Sequence, residues 1–557
     1  MNTVTVENFE VVNADHSTIA AHGQDIEPKV KMTKDQLRLA VREATEKERE
    51  LYQKKPVAES AVTSGNIFKA LYAKEDGDAW LYRMIHKDRL CFDHAAGHWY
   101  VWMGHHWELD KVDQAIAAVD GIIEAYAKEA TICSAKALEA TRAGDSDGRK
   151  KFEKMEKDLK DRIAQLQHWH RKGNVLKLAA VGEHSLGITG EKWDLNPWLL
   201  GCPNGTIDLR TGSFRPGLPS DFIKTICPTK WEGIGQEAPT WQAFLEQIFN
   251  GDKELIEYVQ RLFGYSLAGL TDEHVLPILW GQGRNGKGTL LETLSHVLGK
   301  LAQPVQAEML LDQGKVRSSA GPSADLMKLR GCRMVWASET DEGRKLNAGK
   351  VKWLTGGDSL SARAPFGEHE ITFTPTHTLF MITNHKPRVA GNEYALWKRI
   401  HLIPFCLSFV PDPMLPNERL VDKTLTRKLK EEAPGILAWL VRGCLEWQKL
   451  GDLNPPETVK TATDDYKSEE DVIGIFLDSE CEIDSDATVQ AGSLHSAYQS
   501  WCKSAGFTAQ NMKTFGTQIS TRYDKIRSNG RIIYKGLTLK PDNTFPDGCP
   551  NSYQDIN

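Results

Sequence analysis

The feature that most constrains this chain is an apolar run at 274–280 (HVLPILW) that ends in Gly281-Gln282-Gly283-Arg284-Asn285-Gly286-Lys287-Gly288-Thr289 and continues with helical apolar spacing over 290–298. Strand, glycine loop and helix in that order build a cradle for phosphate. Glycines let backbone N–H groups turn toward the anion, the helix offers its positive end, and a lysine reaches the terminal phosphates. Gly281, Gly283, Asn285, Gly286, Lys287, Gly288 and Thr289 are therefore the predicted ATP-binding residues, with Thr289 as a ligand for Mg2+. The usual spacing puts Ser or Thr directly after the lysine; here Gly288 intervenes and the hydroxyl moves one place on.

Hydrolysis of a bound nucleotide also needs an acid, normally at the end of a neighbouring strand. The strand-like run 332–337 (CRMVWA) ends at Ser338-Glu339. Glu339 is the expected group for polarising the attacking water and sharing the metal with Thr289, with Asp341 and Glu342 as supports. A third apolar run, 378–383 (TLFMIT), ends at Asn384, whose carboxamide could sense the γ-phosphate or orient water, a turn-forming Asn being the alternative.

At 557 residues the chain exceeds what one hydrophobic core serves. Residues 1–64 read as a tail with a charged helix at 32–55, and 65–236 as an α+β region. The latter holds aromatic strands at 89–109, a helical hairpin at 112–176 broken at 143–148, and strand-like pieces around Asn204-Gly205 and Thr211-Gly212. Residues 237–455 alternate strand and helix, an α/β core. Residues 456–557 begin with helices and close in 531–540 (RIIYKGLTLK), read as strand-turn-strand, a pattern that suits a winged helix. Hydrophobic residues at 40% and charged residues at 26% are ordinary globular composition. The ten cysteines form no C-x-x-C pair and read as reduced thiols. A net charge of −6 means that any nucleic-acid contact must come from local basic patches. With no apolar run near the roughly 20 residues that cross a bilayer and no signal-like start, no membrane association and a host-cytoplasmic location are expected.

The order glycine loop, Ser338-Glu339, Lys352-x-x-Thr355-Gly356-Gly357-Asp358, Arg363, Asn384 and Arg399 resembles superfamily 3 helicases, and more closely the phage and plasmid primase-helicase family related to poxvirus helicase-primases. The likeness extends over roughly residues 65–540. It implies an AAA+ P-loop motor core, an α+β N-terminal domain and a C-terminal winged helix, assembled as a homo-oligomeric ring, usually a hexamer. Such a ring translocates on single-stranded DNA in the 3′ to 5′ sense and opens forked DNA. Carried over residue by residue, Lys287 and Thr289 bind nucleotide and metal, Glu339 is catalytic, Asn384 is the sensor and Arg399 is a finger reaching the next subunit's ATP. The family also carries a loop into the central channel. Here 360–374 (LSARAPFGEHEITFT) reads as that hairpin, making Arg363, Phe366 and His369 candidate DNA contacts, with Lys352 a further one to phosphate or DNA. Too few residues precede the matching region for a primase domain, so priming is expected from a separate primase or from host replication proteins.

Two local patterns carry less. His168-Trp169-His170 matches a rolling-circle nuclease core but lies in a helical pattern, and Cys91, His94, His98, His105 and His106 match no usual zinc spacing. Two other functions remain open beside the motor: a nucleotide-controlled origin-binding initiator or loader that does not unwind, and a small-molecule phosphotransferase. Unwinding of a forked substrate separates the first from the motor. Phosphoryl transfer to nucleosides would identify the second.

Overall fold

The computed structural model describes residues 62–313, 324–339, 341–363, 370–389, 393–528 and 530–540. The charged helix expected at 32–55, Phe366, His369 and the side chain of Glu339 lie outside the described residues.

The first region pairs aromatic strands with long helices. β1 (Leu90–Asp93), β2 (His98–Trp102) and β3 (Trp107–Leu109) form an antiparallel meander, and β4 (Gly187–Ile188) adds to β1 in parallel. The expected helical hairpin is present as Asp120–Arg142 and Ser146–Leu166. Gly144 turns it at φ +72°, and Asp145 caps the second helix by accepting from Gly148 N at 2.8 Å. The buried Asp78 carboxylate ties this bundle together. It accepts from Tyr126 Oη (2.9 Å), Arg162 Nη1 (2.9 Å) and Arg171 Nη2 (2.6 Å), three groups from three other helices.

β5 (Leu199–Cys202), β6 (Gly205–Asp208) and β7 (Ser213–Arg215) make a second antiparallel sheet. Read from sequence with the region before the α/β core, it instead buries Leu200, Cys202, Ile207 and Leu209 in one cluster with Trp241, Phe263, Leu290 and Ile436 of that core. The physical reason is its alternation: the inward residues are apolar and need a second layer to cover them.

The centre is a five-stranded parallel sheet made of β8 (Leu276–Trp280), β9 (Ala302–Val305), β10 (Met334–Glu339), β13 (Thr378–Thr383) and β14 (Ile400–Pro404). The first of these strands sits between the fifth and the fourth, with the third and second beyond. Between β10 and β13, β11 (Leu360–Ala362) and β12 (Ile371–Phe373) pair antiparallel, as the expected hairpin requires. The inner strands β8 and β13 are buried along nearly their whole length, as the runs LPILW and TLFMIT require when both faces are covered. One face is covered by the helices Lys253–Leu267 and Ala433–Leu450. They approach so closely that a Cβ on Gly264 would lie 2.2 Å from Cys444 N. A short parallel pair, β15 (Ser408–Val410) and β16 (Glu418–Leu420), follows β14.

The C-terminal region consists of the helices Val472–Glu480, Ala491–Ala505 and Met512–Ser520 and a sheet ordered β17-β19-β18 from β17 (Cys481–Gln490), β18 (Lys525–Ser528) and β19 (Arg531–Leu539). The strand-turn-strand read at 531–540 is corrected here: β19 runs unbroken through Gly536, which absorbs φ +90° where the register with β17 shifts. A glycine with positive φ marks a bulge as readily as a turn, and a long partner strand decides for the bulge. Among the described residues no helix is long and apolar enough to cross a membrane. The described cysteines are unpaired and, Cys406 apart, buried.

Replacing Asp78 with Ala strands two guanidinium groups in a largely buried site and should cost about 3 to 5 kcal/mol in urea unfolding. A loss under about 1 kcal/mol would mean that the network behaves as a solvated surface pair.

Candidate functional site

The site grows from the carboxyl end of β8. The chain leaves the sheet at Gly281, whose N donates to Thr383 O at 3.3 Å, and turns through Gly283 (φ +96°), Arg284 (φ +50°) and Gly286 (φ +88°) before the helix Lys287–Leu298 begins. Packing fixes two of the glycines: a Cβ on Gly281 would lie 2.4 Å from Phe405 O, and one on Gly286 would lie 2.6 Å from Ile248 Cγ2. Gly288 is different. Nothing lies within 4 Å of where its Cβ would be, so its missing side chain leaves open space beside the first helical turn. No side chain caps that helix start, and its leading N–H groups point outward with the positive end of the helix dipole.

Lys287 opens the helix and is only 4% exposed. Its Nζ donates to Gly281 O (2.6 Å), Asn285 Oδ1 (3.1 Å) and Asn384 Oδ1 (3.4 Å), all neutral oxygens. Burial pushes the ammonium down from 10.5 to about 8, because a cation taken out of water without a counter-charge is disfavoured. Asn285 is buried in turn, and its Nδ2 faces Phe405 O at 3.5 Å.

Sheet register brings the other expected residues to the same edge. Glu339 pairs with Thr383, and Thr383 pairs with Trp280, so the last residues of β10, β13 and β8 lie level. Gly281 and Asn384 are the next residues beyond. The expected nucleotide residues Gly281, Gly283, Asn285, Gly286, Lys287, Gly288 and Thr289, the expected sensor Asn384 and the backbone of Glu339 thus share one rim. Thr289 is partly exposed on the first helical turn.

The remaining expected residues gather elsewhere. Arg399 O accepts from Leu276 N at 2.6 Å, so Arg399 stands at the amino end of β8, a strand length of roughly 15 Å from the loop. Its Nε donates to Thr355 Oγ1 (3.1 Å) and its Nη1 to Ala395 O (2.8 Å). Lys352, one turn before Thr355, pairs with Glu393 at 2.9 Å, and Glu393 precedes the short helix Tyr394–Trp397 that leads to Arg399. Arg363 is half-buried just past β11.

Sequence reasoning missed Lys386. Its ammonium lies 4.6 Å from the centre of the Trp280 ring and 2.7 Å from Glu469 Oε2, at the rim that carries Asn384. Its place two residues after the strand-ending asparagine was a visible signal, whereas its acidic partner 83 residues on was not.

The depressed ammonium gives a signed prediction. Between about pH 8 and 10.5 the unfolded chain holds the Lys287 proton while the folded one has shed it, so the residue's contribution to stability rises with pH across that window. Urea midpoints should therefore show the wild type gaining on Lys287→Met as pH rises. A difference that stays flat would remove the uncompensated cation from the account.

Family models match three stretches: D5 N terminal like over residues 78–250, a family of unknown function over 279–399, and Poxvirus D5 protein-like over 468–535. The chain is 29% identical over 473 residues to a protein of Acanthamoeba polyphaga mimivirus named as a helicase, covering 81% of this chain and 48% of that one. It is 27% identical over 348 residues to a helicase-named protein of Invertebrate iridescent virus 3, covering 58% of this chain and 36% of the relative. The chain thus spans about half the length of these curated relatives, or less. Among solved structures, the C-terminal region of NrS-1 is similar at a TM-score of 0.41 and 10% identity, covering 82% of this chain and 99% of that one. D5-type models match on either side of the central sheet and helicase-named viral relatives align along much of the chain, which is thus similar to the poxvirus D5-like primase-helicase family.

Proposed function

We propose that this chain is the ATP-hydrolysing subunit of a replicative DNA helicase of superfamily 3, working as a homo-oligomeric ring, most simply a hexamer, that pulls single-stranded DNA 3′ to 5′ and opens a fork. The observation that carries the reading is the Lys287 ammonium, buried among neutral oxygens at the carboxyl rim of a parallel sheet, where ligands of open α/β sheets bind. A triphosphate supplies the missing negative charge.

The loop fits ATP·Mg2+ on its own terms: Gly281 and Gly286 leave no room for a side chain, and Gly288 leaves open space at an uncapped helix start. Thr289 and Glu339 would hold the Mg2+, which when bound screens the charge of the phosphates. Glu339 would take a proton from the attacking water, and the Asn384 carboxamide would orient that water or meet the γ-phosphate. Lys287 would move from its three neutral acceptors to phosphate oxygens. Arg399 acts on the ATP of the adjoining subunit. In support of that role it stands a strand length from its own loop, and a guanidinium that must come from a neighbour makes hydrolysis depend on assembly.

DNA contact is assigned to Lys352, Arg363, Phe366 and His369 on the channel side and to a winged helix in the C-terminal region. The helicase names of the viral relatives support strand separation as the output. The hairpin of β18 and β19 exposes Lys525, Arg527, Arg531 and Lys535, a row suited to phosphates on a chain that is acidic overall.

Lys287→Ala should abolish ATP turnover with folding intact by circular dichroism; retained turnover removes the loop from the mechanism. Arg399→Ala should keep nucleotide affinity but lose at least about a thousandfold in kcat. Mixing it with Lys287→Ala subunits should restore part of the turnover, and no restoration under subunit exchange excludes action across the boundary. ATP binding should also take up a proton near pH 8, because phosphate returns the Lys287 ammonium toward its ordinary value. Calorimetry in two buffers of different ionisation enthalpy reads this directly, and equal heats would contradict it.

A further inference from the structure

One helix, Glu457–Glu469, runs from the central region to the C-terminal one. It begins the last region in the sequence, yet it buries Val459 and Tyr466 in the two clusters that flank the parallel sheet. Thr463 Oγ1 accepts from Leu402 N at 3.0 Å, three residues after Arg399. The fully buried Tyr466 ring meets Trp397 edge-on at 5.0 Å, and its hydroxyl donates to Pro387 O. Glu469 grips Lys386 with both carboxylate oxygens, at 2.8 and 2.7 Å. Glu470 then accepts from Val389 N at 3.0 Å. The segment 386–389, directly after Asn384, is therefore held at three points by this helix and its last neighbour, and Lys386 also lies over Trp280, the residue before Gly281.

The other end of the connection is equally tight. Asp471 caps the helix Val472–Glu480 by accepting from Gly474 N at 3.0 Å, and it binds Arg522 Nη2 at 2.6 and 2.8 Å. Arg522 lies three residues before β18, whose hairpin exposes the basic row. A displacement of the C-terminal region thus has a short, hydrogen-bonded path to the carboxamide of Asn384 and to the strand that starts beside Arg399.

We propose that the helix Glu457–Glu469 is a strap that sets the position of Asn384, with Lys386 and Glu469 as its positioning residues, so that DNA held by the C-terminal region adjusts hydrolysis at the rim. This rests on the motor reading above. The Lys386 side chain is 17% exposed and that of Glu469 57%, so the pair adds little to stability. Its value lies in geometry, where a displacement of about 1 Å changes rate strongly.

The test uses the full chain with Glu469→Lys, Lys386→Glu and the double exchange. Either single change should lower DNA-stimulated kcat about tenfold, with KM for ATP and thermal midpoint unchanged, and the exchange should restore kcat to within about twofold. An unchanged kcat in the single variants, or an exchange that restores nothing, overturns the proposal. Hydrogen exchange of segment 384–389 reads the strap without turnover. It should quicken in each single variant and recover in the exchange, and oligothymidylate should slow it in the wild type and in the exchange but in neither single variant. Exchange rates indifferent to all three changes overturn the strap whatever the ATPase does. A wild type that never hydrolyses ATP while this exchange pattern holds sinks the motor reading and leaves the strap standing as a mechanical element.

Discussion

The rest of the site depends on one unfavourable placement: the Lys287 ammonium, buried with no counter-anion beside it among the described residues. Three neutral oxygens hold it, from Gly281, Asn285 and Asn384, and each comes from a different piece of the fold. The first is the exit of β8, the second the crest of the loop, the third the exit of β13. Parallel register keeps these exits level, and register is strongly specified here because both faces of the sheet are buried. A cation in that position is a cost in the free chain, and on the proposed reading a polyanion would turn the same cost into affinity. The surrounding packing, down to the glycines that Phe405 O and Ile248 leave no room to replace, holds the loop around that amine.

What the sequence made legible was whatever a short window could encode. The glycine loop between an apolar strand and a helix, the strand ends at Glu339 and Asn384, the hairpin of helices around Gly144 and the paired strands flanking 363–370 all follow from local period and turn chemistry. The losses have a common physical origin. β17 (CEIDSDATVQ) has no apolar run, since its outer positions are solvent-facing, and it exists because β19 some fifty residues later supplies its ladder. Gly536 has the same local signature in a bulge as in a turn. The sheet of β5 to β7 was legible as strands, but the layer that it covers was not. Lys386 and Glu469 are an ordinary lysine and an ordinary glutamate until the fold brings them together.

The same limit applies to Arg399. A Trp-Lys-Arg run says nothing of distance; the position of the residue comes from β14 pairing with β8 in parallel, which puts Arg399 O on Leu276 N. The sheet therefore has two differently equipped edges. Its carboxyl rim gathers backbone amides, a lysine, an asparagine and the end of β10. Its amino side gathers Thr355, Arg399, Lys352 and Glu393, linked by hydrogen bonds across the helix Ala348–Thr355 and the turn before β14.

That separation decides what a single chain can do. Arg399 stands a strand length of roughly 15 Å from the loop that carries Lys287, so on the reading proposed here it serves a neighbour's nucleotide and each protomer carries half of two sites. The Lys352–Glu393 pair is partly exposed on both sides, and a pair of that kind is worth at most about 1 kcal/mol. On the proposed reading it would open at little cost for a stronger anion, whether phosphate of a neighbour's nucleotide or of DNA. A weak local pair beside Arg399 and a strained cation at the opposite rim are complementary defects in one subunit. On the proposed reading, a head-to-tail contact would set the edge of one protomer against the rim of the next, and because every copy presents both, the contact would repeat and form a ring where its rotation closes.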